Sequence, residues 1–409
     1  MYLLPKPKTI KEQDGQMLLC HSTHIVMTKE VAETEMHAAK RLQEAIRQET
    51  GLILPFSVGE VREGDLSLGI AKTLPEQTYE ITIDEKGGQI SGGDGAGVLY
   101  GVETFCQIVQ QCGGILPCVQ IQDAPDMPNR GYYFDQTRGR VLKLEELKKI
   151  ADRMCRYKLN QLQLYVEHTY LFRDFSEMWR DQTPLTAEEI LELDSYCRER
   201  HIELVPSLAS FGHLCTLLST KTYGDLCEME DSWKEPFSFW NRMRYHTINV
   251  SDERSLPLIK KMIAEYMQLF SSNKFNICAD ETFCLGKYKS KKLAEERGGD
   301  RLYIDYVKEL AQFLVENGKI PMFWGDIIWN SPELMKELPE SMICLNWGYA
   351  PEQREDETRA IAQTGAVQYL CPGVCGWNQW ANLIENSYKN ITRMCGYAAK
   401  YHGIGVLNT

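Results

Sequence analysis

From residue 128 onward, short apolar runs alternate with helix-like stretches, and this rhythm constrains the fold more than any other feature of the chain. The runs are "GYYFD", "NQLQLYVE", "IELVPSLAS", "FNICAD", "IPMFWGD", "SMICLNW", "AVQYLCPG" and "GIGVLNT". Between most of them lie amphipathic stretches such as "KLEELKKIADRMCRYK", where Leu144, Leu147, Ile150, Ala151 and Met154 keep a stripe at helical spacing. Eight strands alternating with helices predict an α/β fold of the (β/α)₈ TIM-barrel type over residues 128–409. An eight-strand doubly wound sheet is the topological competitor. The last run ends at Thr409, so the barrel is expected to be truncated at its last strand and to lack its final helix. The stretch 211–270 is too long for one helix and reads as an insertion walling a pocket above the barrel.

A chain of 409 residues exceeds the size at which one core usually stops growing, and residues 1–127 have a different rhythm. They predict a small α/β domain with a helix over 31–47 and alternating strands that break at Gly92, Gly93, Gly95 and Gly97 before a second helix. Those glycines match neither phosphate-loop spacing and read as a turn and helix start. Pro125 and Pro128 mark a linker near residue 127.

A net charge of -12 argues against nucleic acid or an anionic membrane as partner, since both need clustered Lys and Arg. No apolar run approaches the roughly 20 residues that span a bilayer. The start "MYLLPKPKTIKEQDG" turns polar too early for a signal peptide, so a cytoplasmic location is the expectation. Fourteen cysteines are scattered without a CxxC pair and read as structural or free thiols. Asn390-Ile391-Thr392 has the form of a glycosylation sequon and reads as a chance match.

Barrel chemistry sits at the C-terminal strand ends. There the chain places Asp135 and Arg138, Glu167 and His168, Ser210 and His213, Asp280 and Glu281, then Asp326. The sixth and seventh ends are aromatic, with Trp347, Tyr349, Tyr369 and Trp377. Acids and an arginine bond hydroxyls, and tryptophan faces pack on the apolar face of a pyranose, so a sugar pocket is the first reading. A metal site is the competitor for the acids and histidines, but neither HxH nor HExxH spacing occurs. His213 alone reads equally as a structural hydrogen bonder, and the tryptophans, of which Trp324 in "FWGDI" is the best placed, as ordinary core.

The motifs "RGYYFDQTR", "SLASFGHL", "FNICADETFCLGK", "FWGDI" and "LNWGYAP" resemble those of glycoside hydrolase family 20, the β-N-acetylhexosaminidases, in particular their compact bacterial members. The first part, with "GVLYGVETFCQ" and "LPCVQIQDAPDMPNRG", resembles the small domain preceding that barrel. The resemblance implies a retaining exo-enzyme that removes terminal GlcNAc or GalNAc with the sugar's own acetamide as nucleophile. Glu281 would be the catalytic acid and Asp280 the residue that orients the acetamide. Arg138, Glu167 and His213 would bind or support the sugar, Trp324 and Trp347 would wall the acetamide, Tyr369 would donate to its oxygen, and Trp377 would line the rim. The implied partner is a small oligosaccharide or glycoconjugate, with no cofactor and no metal.

The sequence departs from the family pattern in three places. Ala279 stands where a glycine commonly precedes the acid pair, and Cys371 stands where many members carry an aspartate. Family members also continue past "GVLNT" into a segment bearing a tryptophan and an acid. The alternative function is therefore a catalytically silent sugar-binding homologue or an inactive truncated fragment.

Overall fold

The computed structural model describes residues 1–376 and 379–409. The chain forms two compact units: Met1–Pro128 with Lys148–Asn160 and Tyr196–Ile202, and Asn129–Leu147 with Gln161–Ser195 and Glu203–Thr409.

In the first unit, seven strands run in chain order: β1 (Thr9–Leu18), β2 (Ile25–Met27), β3 (Phe56–Val58), β4 (Leu66–Ile70), β5 (Tyr79–Asp84), β6 (Gly87–Gly92) and β7 (Ile115–Asp123). They form one mixed sheet in the order β1-β7-β5-β6-β4-β2-β3. The helix Gly95–Cys112 packs on β5, β6 and β7 and against the helix Met36–Thr50. Sandwiched this way, it buries every residue from Ala96 to Val109. Asp94 caps its start, accepting from the Gly97 N–H at 2.7 Å and the Gln77 N–H at 3.0 Å. A Cβ on Gly93 would lie 1.9 Å from the Pro75 carbonyl oxygen and one on Gly97 2.2 Å from that of Thr78, so these glycines serve a tight turn and helix start. The helix expected over 31–47 is two helices, Lys29–Thr34 and Met36–Thr50, broken at Glu35, whose backbone leaves the helical region. Its buried carboxylate pairs instead with His201 Nε2 at 2.8 Å.

The second unit holds β8 (Asn129–Asp135), β9 (Gln161–Val166), β10 (Glu203–Leu208), β11 (Lys274–Asn276), β12 (Ile320–Trp324), β13 (Ile343–Trp347), β14 (Val367–Cys371) and β15 (Gly405–Asn408). These are the eight runs read from the sequence, and they form a closed parallel barrel. The circle closes through β15, which pairs with β14 on one side and with β8 on the other, from Gly405↔Asn129 to Asn408↔Tyr132. The helix after the third strand is Ser255–Met267, which narrows the insertion to residues 211–254, a run of short helices ending with Phe239–Arg244. Among the described residues, no helix is long and apolar enough to cross a membrane. All fourteen cysteines are free thiols. Asn390 is fully buried, and its amide nitrogen donates to the Gly348 and Ala350 carbonyls, so the sequon offers no site for a glycan.

Candidate active site

The apolar run that contains the acid pair is a strand only as far as Asn276. There the Asn276 side-chain oxygen takes the Cys278 N–H at 2.9 Å and diverts the chain. Cys278, Ala279 and Glu281 then adopt left-handed backbone, with φ of 57°, 65° and 48°. Such residues cost on the order of 1 kcal/mol each and persist where the surroundings hold them. Here the Tyr303 hydroxyl donates to the Ala279 carbonyl at 3.1 Å, and the Glu281 N–H donates to Asp326 Oδ2 at 3.0 Å. The φ at Ala279 is the physical reason a glycine is at home in that position. A second loop, after β10, approaches at Gly212, where a Cβ would lie 2.6 Å from the Asp280 carbonyl oxygen. That close approach delivers His213, itself left-handed at φ 59°.

His213 Nε2 lies 3.4 Å from Asp280 Oδ2 and 3.4 Å from Glu281 Oε2, so one imidazole bridges the two carboxylates at ion-pair distance. Burial works against a charged imidazole, but Asp280, Glu281 and Glu167 outweigh it and push His213 up to about 10. Burial likewise opposes charge on Asp280, yet His213 and then Arg138 hold its carboxyl below the usual value. The ligand atoms of His213, Asp280 and Glu281 lie within 4.8 Å of one another, close enough to hold a metal ion. The same proximity lets a protonated imidazole be shared by the two acids. Asp326 behaves oppositely: burial, then the charges of Asp280 and Glu281, push it up to about 7.

Around this centre, Arg138 donates through Nε to Asp135 Oδ2 at 2.7 Å and stacks over the Tyr165 ring at 4.7 Å. Buried Glu167 accepts from the Tyr165 hydroxyl at 2.8 Å and from Arg242 at 2.9 Å. Burial opposes its charge, but Arg242, Arg138 and His213 hold it below the ordinary glutamate value. Below the acid loop, Trp324 meets Tyr133 edge-on at 4.9 Å, and the Tyr133 hydroxyl lies 3.8 Å from Cys278 Sγ. To one side, Trp347 stacks on Tyr349 at 5.0 Å and lies 5.7 Å from Trp329. Buried polar atoms without a protein partner gather here: Asp280 Oδ1, Asp326 Oδ1, Trp329 Nε1 and Arg242 Nε. Orphaned groups of this kind are rare in folded proteins and cluster where a ligand will bond them.

A family model described as "Glycosyl hydrolase family 20, catalytic domain" matches residues 128–402, and one described as "Glycosyl hydrolase family 20, domain 2" matches residues 1–124. The chain belongs to glycosyl hydrolase family 20. It is 24% identical to a β-hexosaminidase of Porphyromonas gingivalis over 91% of this chain and 50% of that protein. It is 26% identical to one of Vibrio furnissii over 68% and 48%. The chain therefore spans about half the length of these curated relatives. Among solved structures, the β-hexosaminidase of Streptomyces plicatus in complex with product GlcNAc superposes with a TM-score of 0.80 at 19% identity, covering 99% of this chain and 84% of that one. The exo-β-N-acetylglucosaminidase of Vibrio harveyi gives 0.79 at 18% identity over 99% and 68%.

On this family 20 barrel, Arg138, Glu167, His213, Asp280, Glu281, Trp324 and Trp347 come together at the C-terminal strand ends. Tyr369 does not join them. It is fully buried in β14, with its hydroxyl 3.4 Å from Gln161 Nε2 at the first residue of β9, the opposite end of the barrel. Tyr349, two residues past β13 and stacked on Trp347, lies at the C-terminal strand ends instead, and desolvation, with the charges of Asp280 and Glu281 among its neighbours, favours its neutral form. Trp377 lies outside the described residues. Two further participants carry no assigned role in the family resemblance, and of these only Arg242 is absent from the strand-end residues read from the sequence. Asp326 is legible as an acid at a strand end, whereas Arg242 comes from the insertion, where the only signal is a basic pair inside the aromatic "FWNRMR".

Proposed function

We propose that this chain is a retaining exo-β-N-acetylhexosaminidase that removes terminal GlcNAc or GalNAc through the substrate's own 2-acetamido group. The observation that carries the reading is the pair Asp280–Glu281 on one strained loop, with His213 3.4 Å from each. In the reaction, Glu281 gives its proton to the bridging oxygen as the bond from C1 to that oxygen breaks. The acetamide oxygen forms the new bond to C1, and Asp280, kept ionised by the His213 imidazolium, accepts from the acetamide N–H and offsets the growing positive charge. Water then attacks C1 from the opposite side of the ring, with Glu281 now taking the proton, and the configuration is retained. Arg138 and Glu167 hold ring hydroxyls, Trp324 and Trp347 wall the acetamide, and Tyr349 takes the donor part that the family resemblance assigns to Tyr369.

The test compares aryl β-N-acetylglucosaminide with the plain aryl β-glucoside, which lacks the acetamide. Hydrolysis of the first alone is expected, and comparable rates on both would sink substrate assistance. Glu281→Gln is expected to lose about 10²–10⁴-fold in kcat on leaving groups that need protonation, and far less on an activated aryl group. An equal loss on both classes would remove Glu281 from the acid role.

A further inference from the structure

The insertion helix Phe239–Arg244 turns two faces to different tasks. Arg242 reaches Glu167 inside the pocket, and Met243 Sδ lies 3.2 Å from an Arg138 nitrogen. Trp240 and Arg244, one helical turn apart, are exposed instead, Trp240 at 63%. The Arg244 guanidinium lies 5.1 Å over the Trp240 ring and 5.9 Å over that of Phe283. Phe283, 41% exposed, follows Glu281 by two residues, and its N–H donates to the Glu281 carbonyl at 2.7 Å. The helix is tied to this loop by the Cys284 thiol, 3.0 Å from the Arg244 carbonyl oxygen.

Two features make this corner unlike ordinary surface. Large aromatics exposed together beside a catalytic loop match the apolar faces of a sugar ring. The nearby arginines Arg138 and Arg242 each hold a carboxylate, Asp135 and Glu167, but among the described residues Arg244 has no acidic partner. A guanidinium held between aromatic faces keeps its donor fork available to an anion.

We propose that Trp240, Arg244 and Phe283 form the platform for the leaving group, and that it selects a leaving sugar bearing an anionic substituent, a carboxylate or a sulfate. This rests on reading the site as a hexosaminidase, because an acid at Glu281 must touch the oxygen shared by the two sugars. The leaving sugar then lies on the Glu281 side, next to Phe283.

The test uses two disaccharides that differ in one group: GlcNAc β-linked to glucuronic acid, and its carboxyl-reduced form, GlcNAc β-linked to glucose. A third arm carries a sulfate on the glucose. The wild type is expected to favour both anionic substrates in kcat/KM by roughly five- to tenfold, with the preference shrinking at about 0.5 M salt. Arg244→Ala is expected to bring the ratio to about one, Arg244→Lys to keep part of it, and Trp240→Ala to lower all three substrates alike. A wild-type ratio near one, or a ratio unchanged in Arg244→Ala, overturns the proposal while aryl N-acetylglucosaminide hydrolysis stands. Failure of the wild type on the aryl substrate itself overturns the underlying reading and this inference with it.

Discussion

Burial first and neighbouring charge second set the protonation of Asp326. Its carboxylate takes the Glu281 N–H, yet burial and the charges of Asp280 and Glu281 push it up to about 7 from 3.8. An acid with a folded pKa above its unfolded value binds its proton more tightly when folded, so its contribution is fully present below about pH 4 and is lost as pH rises through 7. Asn keeps the acceptor and removes the charge. Asp326→Asn should therefore track the wild type near pH 4 and be more stable by on the order of 1 kcal/mol at pH 8, measured by urea unfolding. Parallel stability curves across that range would show that Asp326 does not hold a proton. His213 has the complementary behaviour. Raised from 6.5 to about 10, it contributes stability below pH 6.5 that is lost as pH climbs toward 10.

Element by element, the apolar runs announced all eight barrel strands, but their lengths were less legible. The fourth run is apolar through Ala279, whereas β11 stops at Asn276 because a side-chain acceptor and three left-handed residues take over. Hydrophobic alternation carries no information about the sign of φ. A similar limit split the helix expected over 31–47, where buried Glu35 finds its partner in His201, distant in sequence. The helix Gly95–Cys112 depends on a cap that is local and therefore readable: Asp94 serves two backbone donors. Asp94→Ala should cost about 1–2 kcal/mol in thermal or denaturant unfolding, with Asp94→Asn recovering most of it, and an unchanged midpoint would discount the cap.

For the whole barrel, closure rests on the last strand. Leu407 of β15 is fully buried, and a Cβ on Gly131 of β8 would lie 2.6 Å from its Cδ1, so the two strands meet with no spare room. Leu407→Ala leaves a hole at that seam and should cost about 2–5 kcal/mol, read as a lowered urea midpoint. Wild-type stability would mean that the seam relaxes around the loss.

The sequence by itself determined the eight-strand rhythm, the family motifs and the strand-end acids Asp280, Glu281 and Asp326, because these are carried by local order and neighbouring residue types. Only the tertiary structure decided which side chains share the site. It set His213 between two acids nearly seventy positions away, drew Arg242 in from the insertion, stacked Tyr349 on Trp347 and buried Tyr369 at the other end of the barrel. Those outcomes depend on loop backbones of left-handed φ and on contacts between distant segments, and the energies that fix them are charge and close packing, neither of which leaves a period in the sequence.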